Sequence, residues 1–125
     1  MSISERAAAT VQPPKLSRIV TEAEVEKALD FLRDSAAQLG QIREEAIKAD
    51  RYVDHVEAIK TLASDETSDS KRRADARSSQ EWLSAVDEAA RWAGELEKLR
   101  ALRTAAEAKI EAWRTESATY RGMKI

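Results

Sequence analysis

The stretch SDETSDS, residues 64–70, decides how this chain folds. It sets seven small polar or acidic residues in a row between two long segments in which apolar residues recur every three or four positions. Serine, threonine and aspartate side chains compete with the backbone for hydrogen bonds and therefore favour turns and helix starts. We expect a turn at about residues 65–69 that joins two long helices.

The segment before this stretch predicts one helix over about residues 21–64. Thr21 and Glu24 stand in a TEAE pattern, the capping box with which many helices begin. The heptad spacing stammers beside Gly40, where we expect overwinding or a mild bend. Such a helix would be roughly 60 Å long. Its apolar stripe consists of Val25, Leu29, Leu32, Ala36, Leu39, Ile42, Ala46, Ala49, Val53, Val56, Ile59 and Ala63.

The segment after this stretch predicts a second helix over about residues 70–119. Ser68 or Ser70 can cap its start, and the helix should end before Gly122. No proline interrupts the pattern, since both prolines of the chain lie near its N-terminus. The apolar stripe here consists of Ala74, Trp82, Val86, Ala89, Ala93, Leu96, Leu99, Leu102, Ala106, Ile110 and Trp113.

Two long helices joined by a short turn predict an all-α fold, an antiparallel two-helix hairpin with coiled-coil-like helices over residues 21–125. Further apolar residues off the main stripes would stay uncovered in a single hairpin, so we expect a homodimer that forms a four-helix bundle. The residues predicted for the core or the dimer interface are Leu29, Leu32, Leu39, Val53, Val56, Trp82, Val86, Trp92, Leu96, Leu99 and Trp113.

The first twenty residues differ in character from the rest of the chain. Pro13 and Pro14 block a helix there, and the apolar residues follow no pattern, which predicts a disordered N-terminal arm over residues 1–20. The arm lacks the basic start and apolar core of a secretory signal. No window of the chain is apolar enough to cross a membrane. Because the chain also has no cysteine, we expect a reducing, cytoplasmic location.

Composition argues against catalysis and against cofactors. Without cysteine the chain has no thiolate nucleophile and no cysteine-based zinc site. His55 is its single histidine, and the sequence holds neither a glycine-rich phosphate loop nor a hydrolase or metalloprotease motif. We therefore expect no enzyme activity, no catalytic residues, no metal and no bound cofactor.

One basic cluster follows the predicted turn. Lys71, Arg72, Arg73 and Arg77 lie in the first two turns of the second helix, where they could neutralise about two or three phosphates without reading sequence. The alternative is a solvated helix face, offset by the acidic residues nearby. The net charge of −2 favours the solvated face, and nucleic-acid contact stays the second possibility.

The segment from Tyr52 to Gly122 is similar to a family of small uncharacterised helical proteins of bacteriophages and prophages, often encoded near recombination genes. Three stretches carry this resemblance: Leu62–Ala63–Ser64, the Ala/Arg/Ser run from Ala74 to Ser79, and Ile110–Glu111–Ala112–Trp113–Arg114. The resemblance implies a phage or prophage origin and a bacterial host cell. It brings no activity and no catalytic residue with it.

These observations predict a non-enzymatic protein that acts through protein–protein contact. Residues 21–66 hold twelve acidic and six basic residues, so the first helix is suited to compete for a nucleic-acid channel. In a phage setting this indicates a recombination accessory or an inhibitor of a host nuclease or defence system, with a host or phage protein as partner. The alternatives are a weak, sequence-independent nucleic-acid binder and a virion structural or scaffold component.

Overall fold

The computed structural model describes residues 19–123, and this part of the chain is helical throughout apart from short connections. Its four helices are α1 (Glu22–Asp34), α2 (Ala36–Ala63), α3 (Asp69–Arg77) and α4 (Gln80–Met123). The all-helical prediction is confirmed. Each of the two predicted long helices is divided in two, at Ser35 and at Ser78–Ser79.

Helix α1 begins after Thr21 as predicted, with the Thr21 half of the capping box formed and the Glu24 carboxylate bound by the Thr21 hydroxyl. The hydroxyl of Thr21 accepts a hydrogen bond from the backbone N–H of Glu24 at 3.2 Å, and it also donates to the Glu24 carboxylate at 3.4 Å. Glu22 and Glu24 add negative charge to the first turn, where the helix dipole favours it. Val25 and Ala28 are buried on one face of α1. The cap at Thr21 and these apolar contacts together fix the position of the helix.

The break between α1 and α2 lies at Ser35, five residues before Gly40. Arg103 of α4 donates from Nη1 to the carbonyl oxygen of Leu32 and to the hydroxyl of Ser35, both at 2.7 Å. In an unbroken helix the Leu32 carbonyl would accept from the backbone N–H of Ala36. A side chain that inserts into the backbone ladder in this way interrupts a helix. The helix is therefore divided by a contact from α4, while Gly40 lies within α2.

The connection after α2 takes the conformation that its serines favour. Ser64 is extended and buried, and its hydroxyl accepts from the backbone N–H of Glu66 at 3.2 Å. Ser68 caps α3 by accepting from the backbone N–H of Lys71 at 3.3 Å. Of the two predicted caps, Ser68 is the one used. Helix α3 then ends at Ser78, and Ser79 caps α4 by accepting from the backbone N–H of Trp82 at 3.2 Å.

Helix α4 is the element on which the others pack. Its 44 residues give it a length of about 66 Å, and it contacts α1, α2 and α3. The Ile19 backbone N–H donates to Glu116 at 3.0 Å, and at the other end Lys60 pairs with Glu81 at 3.3 Å. Residue numbers therefore rise along α1 and α2 while they fall along the adjacent α4. Helix α4 ends at Met123, past the predicted end at about residue 119.

The interior consists of small and medium-sized side chains. The buried apolar residues are Val20, Val25, Ala28, Ile42, Val56, Ala76, Ala85, Leu99 and Ala106. Among the residues predicted for the core or dimer interface, only Val56 and Leu99 are buried; the half-buried ones are Leu32, Leu39, Val53, Trp82, Val86, Trp92, Leu96 and Trp113. Leu29 is 51% exposed, because it lies on a side of α1 that no other helix covers, and it is not part of the interior of one chain.

The predicted N-terminal arm overlaps the start of this fold. Val20 is buried, and the Ile19 backbone N–H is bound by Glu116, so these two residues belong to the packed part of the chain. The rest of the predicted arm, residues 1–18, lies outside the described residues.

The contact between Arg103 and the α1–α2 break yields a stability prediction. Arg103→Met should lower the free energy of unfolding by about 1.5–3 kcal/mol, because it removes a charged donor shared by Leu32 and Ser35. Urea denaturation followed by circular dichroism measures the change. The matched control is Arg100→Met, since Arg100 pairs only with Glu97 one turn away on the exposed surface. Arg100→Met should lower the free energy of unfolding by less than about 0.5 kcal/mol. Equal losses of stability in the two variants would contradict this role of Arg103.

Candidate functional site

The tip of the molecule, residues 64–79, carries the predicted basic cluster. Helix α3 packs against the end of α2 and leaves Ala76 only 1% exposed. Serine side chains hold both of its ends, since Ser68 caps its start and the Ser78 and Ser79 hydroxyls donate to the carbonyls of Asp75 and Ala76 at 2.8 and 2.7 Å. The tip is therefore a defined structural unit on which charged side chains take set positions.

Two of the four bases in the tip have acceptors within the chain. Arg72 donates from Nε to the carbonyl oxygen of Glu66 at 2.9 Å. Arg77 forms an ion pair with Glu57 of α2, and its guanidinium lies 6.0 Å from the centre of the Trp82 ring. These contacts fasten the connection and α3 to the long helices. Arg72 and Arg77 therefore have a structural explanation without any ligand.

The other two bases point into solvent. Lys71 and Arg73 are exposed, and neither forms an ion pair within residues 19–123. Ala74, which the sequence pattern assigns to the apolar stripe of the second helix, is exposed as well. That prediction is wrong because the helix is interrupted at Ser78–Ser79, so the periodicity of α4 does not extend into α3. Only two cations of the cluster are left for a phosphate group.

The three tryptophan side chains are half-buried. Trp92 donates from Nε1 to Glu88 at 3.0 Å, and the Arg91 guanidinium covers its ring at 4.8 Å from the ring centre. Trp82 and Trp113 are half-buried, and Trp82 keeps its Nε1 out of solvent without an acceptor among the described residues. Base stacking requires an open ring face, which the contacts of Trp92 and the burial of Trp82 and Trp113 reduce.

The shifted pKa values belong to exposed ion pairs on the long helices. The hydrogen bond from Arg91 lowers the pKa of Glu88, with burial acting in the opposite direction. The pKa of Glu81 is lowered by its own backbone N–H and then by Lys60, which reaches it from α2. Similarly, Glu44 raises the pKa of Lys48. These shifts follow from surface pairing and identify no acid–base site.

His55 also lies on the surface. It is exposed on α2, and its ring centre is 6.3 Å from that of Tyr52. Within residues 19–123, no group of three or more histidine, cysteine, aspartate or glutamate side chains is placed to hold a metal ion. In the same part of the chain, no helix is both long and apolar enough to cross a bilayer.

Large apolar side chains lie on the outside of the helices. The most exposed are Ile19, Leu29, Ile47, Tyr52, Ile59, Leu62, Leu83, Leu102 and Met123. Tyr52 borders a shallow groove between α2 and α4, whose other walls are Gln80, Glu81, Ser84, Ala85 and Glu88. Exposed apolar residues on neighbouring turns of one helix are typical of surfaces that bind another helix. The outer faces of the long helices are therefore the strongest candidate for a functional surface.

The chain matches no protein-family model, no curated protein and no solved structure.

The division of the basic cluster leads to a second prediction. Arg77→Gln should lower the free energy of unfolding by about 0.5–1 kcal/mol, because Glu57 loses the cation that pairs with it. Arg73→Gln is the matched control, since Arg73 lies on the same short helix without an ion pair and should change stability by less than about 0.5 kcal/mol. Urea denaturation of both variants checks this, and a larger loss for Arg73→Gln would contradict the division.

Proposed function

We propose that this protein is a non-enzymatic helical hairpin that pairs with a second copy and acts through protein–protein contact. The observation that carries the proposal is the set of large apolar side chains that one chain leaves exposed. Four of its nine buried apolar residues are alanines, whereas leucines, isoleucines and a tyrosine lie exposed along the rod. Within the described residues, no large side chain is completely buried.

The physical reason for self-association is the area of apolar surface that one chain leaves in water. Burying such surface contributes about 25 cal/mol for each Å², and a two-helix layer covers each helix on only one side. A second copy would cover the outer faces, and two hairpins related by a two-fold axis would form a closed four-helix bundle. The single chain would then be one half of the functional unit.

The partner of this unit would be a host or phage protein in a bacterial cell. The acidic bias of residues 21–66 supports a rigid rod that occupies a basic groove, as a recombination accessory or an inhibitor of a host nuclease or defence system would. The phage or prophage setting and the cytoplasmic location rest on the resemblance and on the composition. A role as virion component or scaffold differs in one observable, the formation of long assemblies.

The mass of the purified chain in solution tests this proposal. Light scattering at low and high salt should give twice the mass of one chain, because the apolar surface that drives pairing is not screened by salt. A short DNA oligonucleotide added in a parallel run should leave the mass unchanged. A single-chain mass at every concentration would contradict self-association, and elution in the void volume would favour the scaffold role.

Contact with other proteins has its own test. The chain carrying an affinity tag should retain a specific host or phage protein from a lysate at low salt, and high salt should weaken retention because the rod is acidic on one side. Changing Glu44 and Glu45 on α2 to glutamine should weaken retention at low salt, because it removes two carboxylates from the acidic segment. Failure to retain any protein would remove support for this part of the proposal.

A second candidate function is weak, sequence-independent nucleic-acid binding at the tip. The observation that favours it is that Lys71 and Arg73 are exposed and form no ion pair within the described residues. Changing both to glutamate should abolish any salt-sensitive retardation of DNA in a gel, while changing Arg100 and Arg114, which pair with neighbouring glutamates, should have little effect. Retardation that is unchanged by Lys71→Glu and Arg73→Glu would contradict a site at the tip.

A further inference from the structure

Helix α2 carries three exposed apolar residues and one exposed histidine on the face beside its buried stripe. Tyr52, His55, Ile59 and Leu62 are separated by three, four and three positions and therefore lie on one face of the helix, which we call the outer seam. Tyr52 is 57% exposed, Ile59 49% and Leu62 78%. The same helix buries Ile42 and Val56 on its inner side. Helix α2 thus has one apolar face inside the chain and another apolar face in solvent.

The spacing of the outer seam is that of a coiled-coil interface. Apolar residues at alternating intervals of three and four are the positions that insert between the side chains of a facing helix. The seam extends over about 15 Å, and the groove bordered by Tyr52, Gln80 and Ser84 continues the surface towards α4. A facing helix on the seam would therefore also contact the edge of α4.

The charges at the two ends of the seam have opposite signs. Arg51 stands directly before Tyr52, whereas Asp65 and Glu66 follow shortly after Leu62. None of these three side chains forms an ion pair within the described part of the chain. The seam is therefore basic at its start and acidic at its end, and its terminal charges are available to a partner.

Two copies of the seam match in charge in only one relative orientation of their α2 helices. If two copies pair their seams in parallel, Arg51 meets Arg51 and the acidic ends meet each other, which is destabilising. If the two α2 helices run antiparallel, Tyr52 faces Leu62 of the second copy and His55 faces Ile59. Arg51 then lies beside the acidic end of the second copy. Antiparallel pairing satisfies the apolar spacing and the charges at both ends.

We propose that the outer seam is the surface through which two copies of this chain pair, with their α2 helices antiparallel about a two-fold axis at the level of Glu57. This inference rests on the proposed self-association and narrows it, because antiparallel seams overlap only near the tips and the two chains would then not form a four-helix bundle along their whole length. A seam of four side chains is small for a protein interface, so the dimer should dissociate on dilution.

Charged substitutions within the seam test the surface. Ile59→Lys should weaken the dimer at least about 100-fold in sedimentation or light scattering, because it places an ammonium group against His55 and the apolar side chains of the facing seam. Leu102→Lys is the matched control, since Leu102 is 50% exposed on α4, and it should leave the dimer intact. Circular dichroism should show that both variants remain helical, because both positions are exposed in one chain.

The outcomes of this experiment separate the two proposals. A wild-type dimer that Ile59→Lys leaves unchanged would overturn the seam and leave self-association standing, and so would a dimer that only Leu102→Lys disrupts. A wild-type chain that is monomeric at all concentrations would overturn self-association itself, and the seam with it.

The polarity has a separate test that leaves the four seam residues in place. The chain contains no cysteine, so one introduced cysteine is its only thiol. Arg51→Cys and Asp65→Cys proteins, when mixed, should give dimers with a short bismaleimide cross-linker, whereas each protein alone should give few. Cross-links formed by each protein alone and not increased by mixing would overturn the antiparallel arrangement. If the chain dimerises but no sample forms a cross-link, the proposed register of the two helices is overturned.

Discussion

The contact of Arg103 with Leu32 and Ser35 is the interaction on which the rest of the structure depends. It is the only contact in the described residues in which one side chain bridges α4 and the α1–α2 break, and both of its hydrogen bonds are short, at 2.7 Å. It lies at the break in the first long helix, and it ties that break to one turn of α4. A charged donor that is shared by two acceptors in a half-buried position is among the stronger hydrogen bonds of a protein.

The interior that follows from this register is thin. Ala28, Ala85 and Ala106 are buried where helices meet, and small side chains let helix backbones approach closely. Ile42, Val56 and Leu99 are buried beside these alanines, whereas several other large apolar side chains extend from the outer faces. The exposed apolar side chains therefore favour a surface that pairs with another helix over an enclosed pocket.

The tip is held by helix caps and by hydrogen bonds of its arginines. Its serines cap α3 and α4, and its bases are divided between internal contacts and solvent. Arg72 and Arg77 reach acceptors at Glu66 and Glu57, so half of the cluster that the sequence presents as one charged patch stabilises the corner of the fold. The remaining pair, Lys71 and Arg73, is too small a set of cations to hold a long stretch of nucleic acid.

The sequence by itself determined the helical class, the start of α1 at Thr21 and the polar connection before α3, because caps and turns depend on residues within a few positions of one another. It narrowed the cap of α3 to Ser68 or Ser70, and the structure shows that Ser68 is used. Only the tertiary structure decided the break at Ser35, the partners of Arg72 and Arg77 and the exposure of Leu29. Arg103 is 68 residues from Ser35 in the chain, and Arg77 is 20 from Glu57. Contacts over such distances depend on how the helices pack, and no local pattern encodes them.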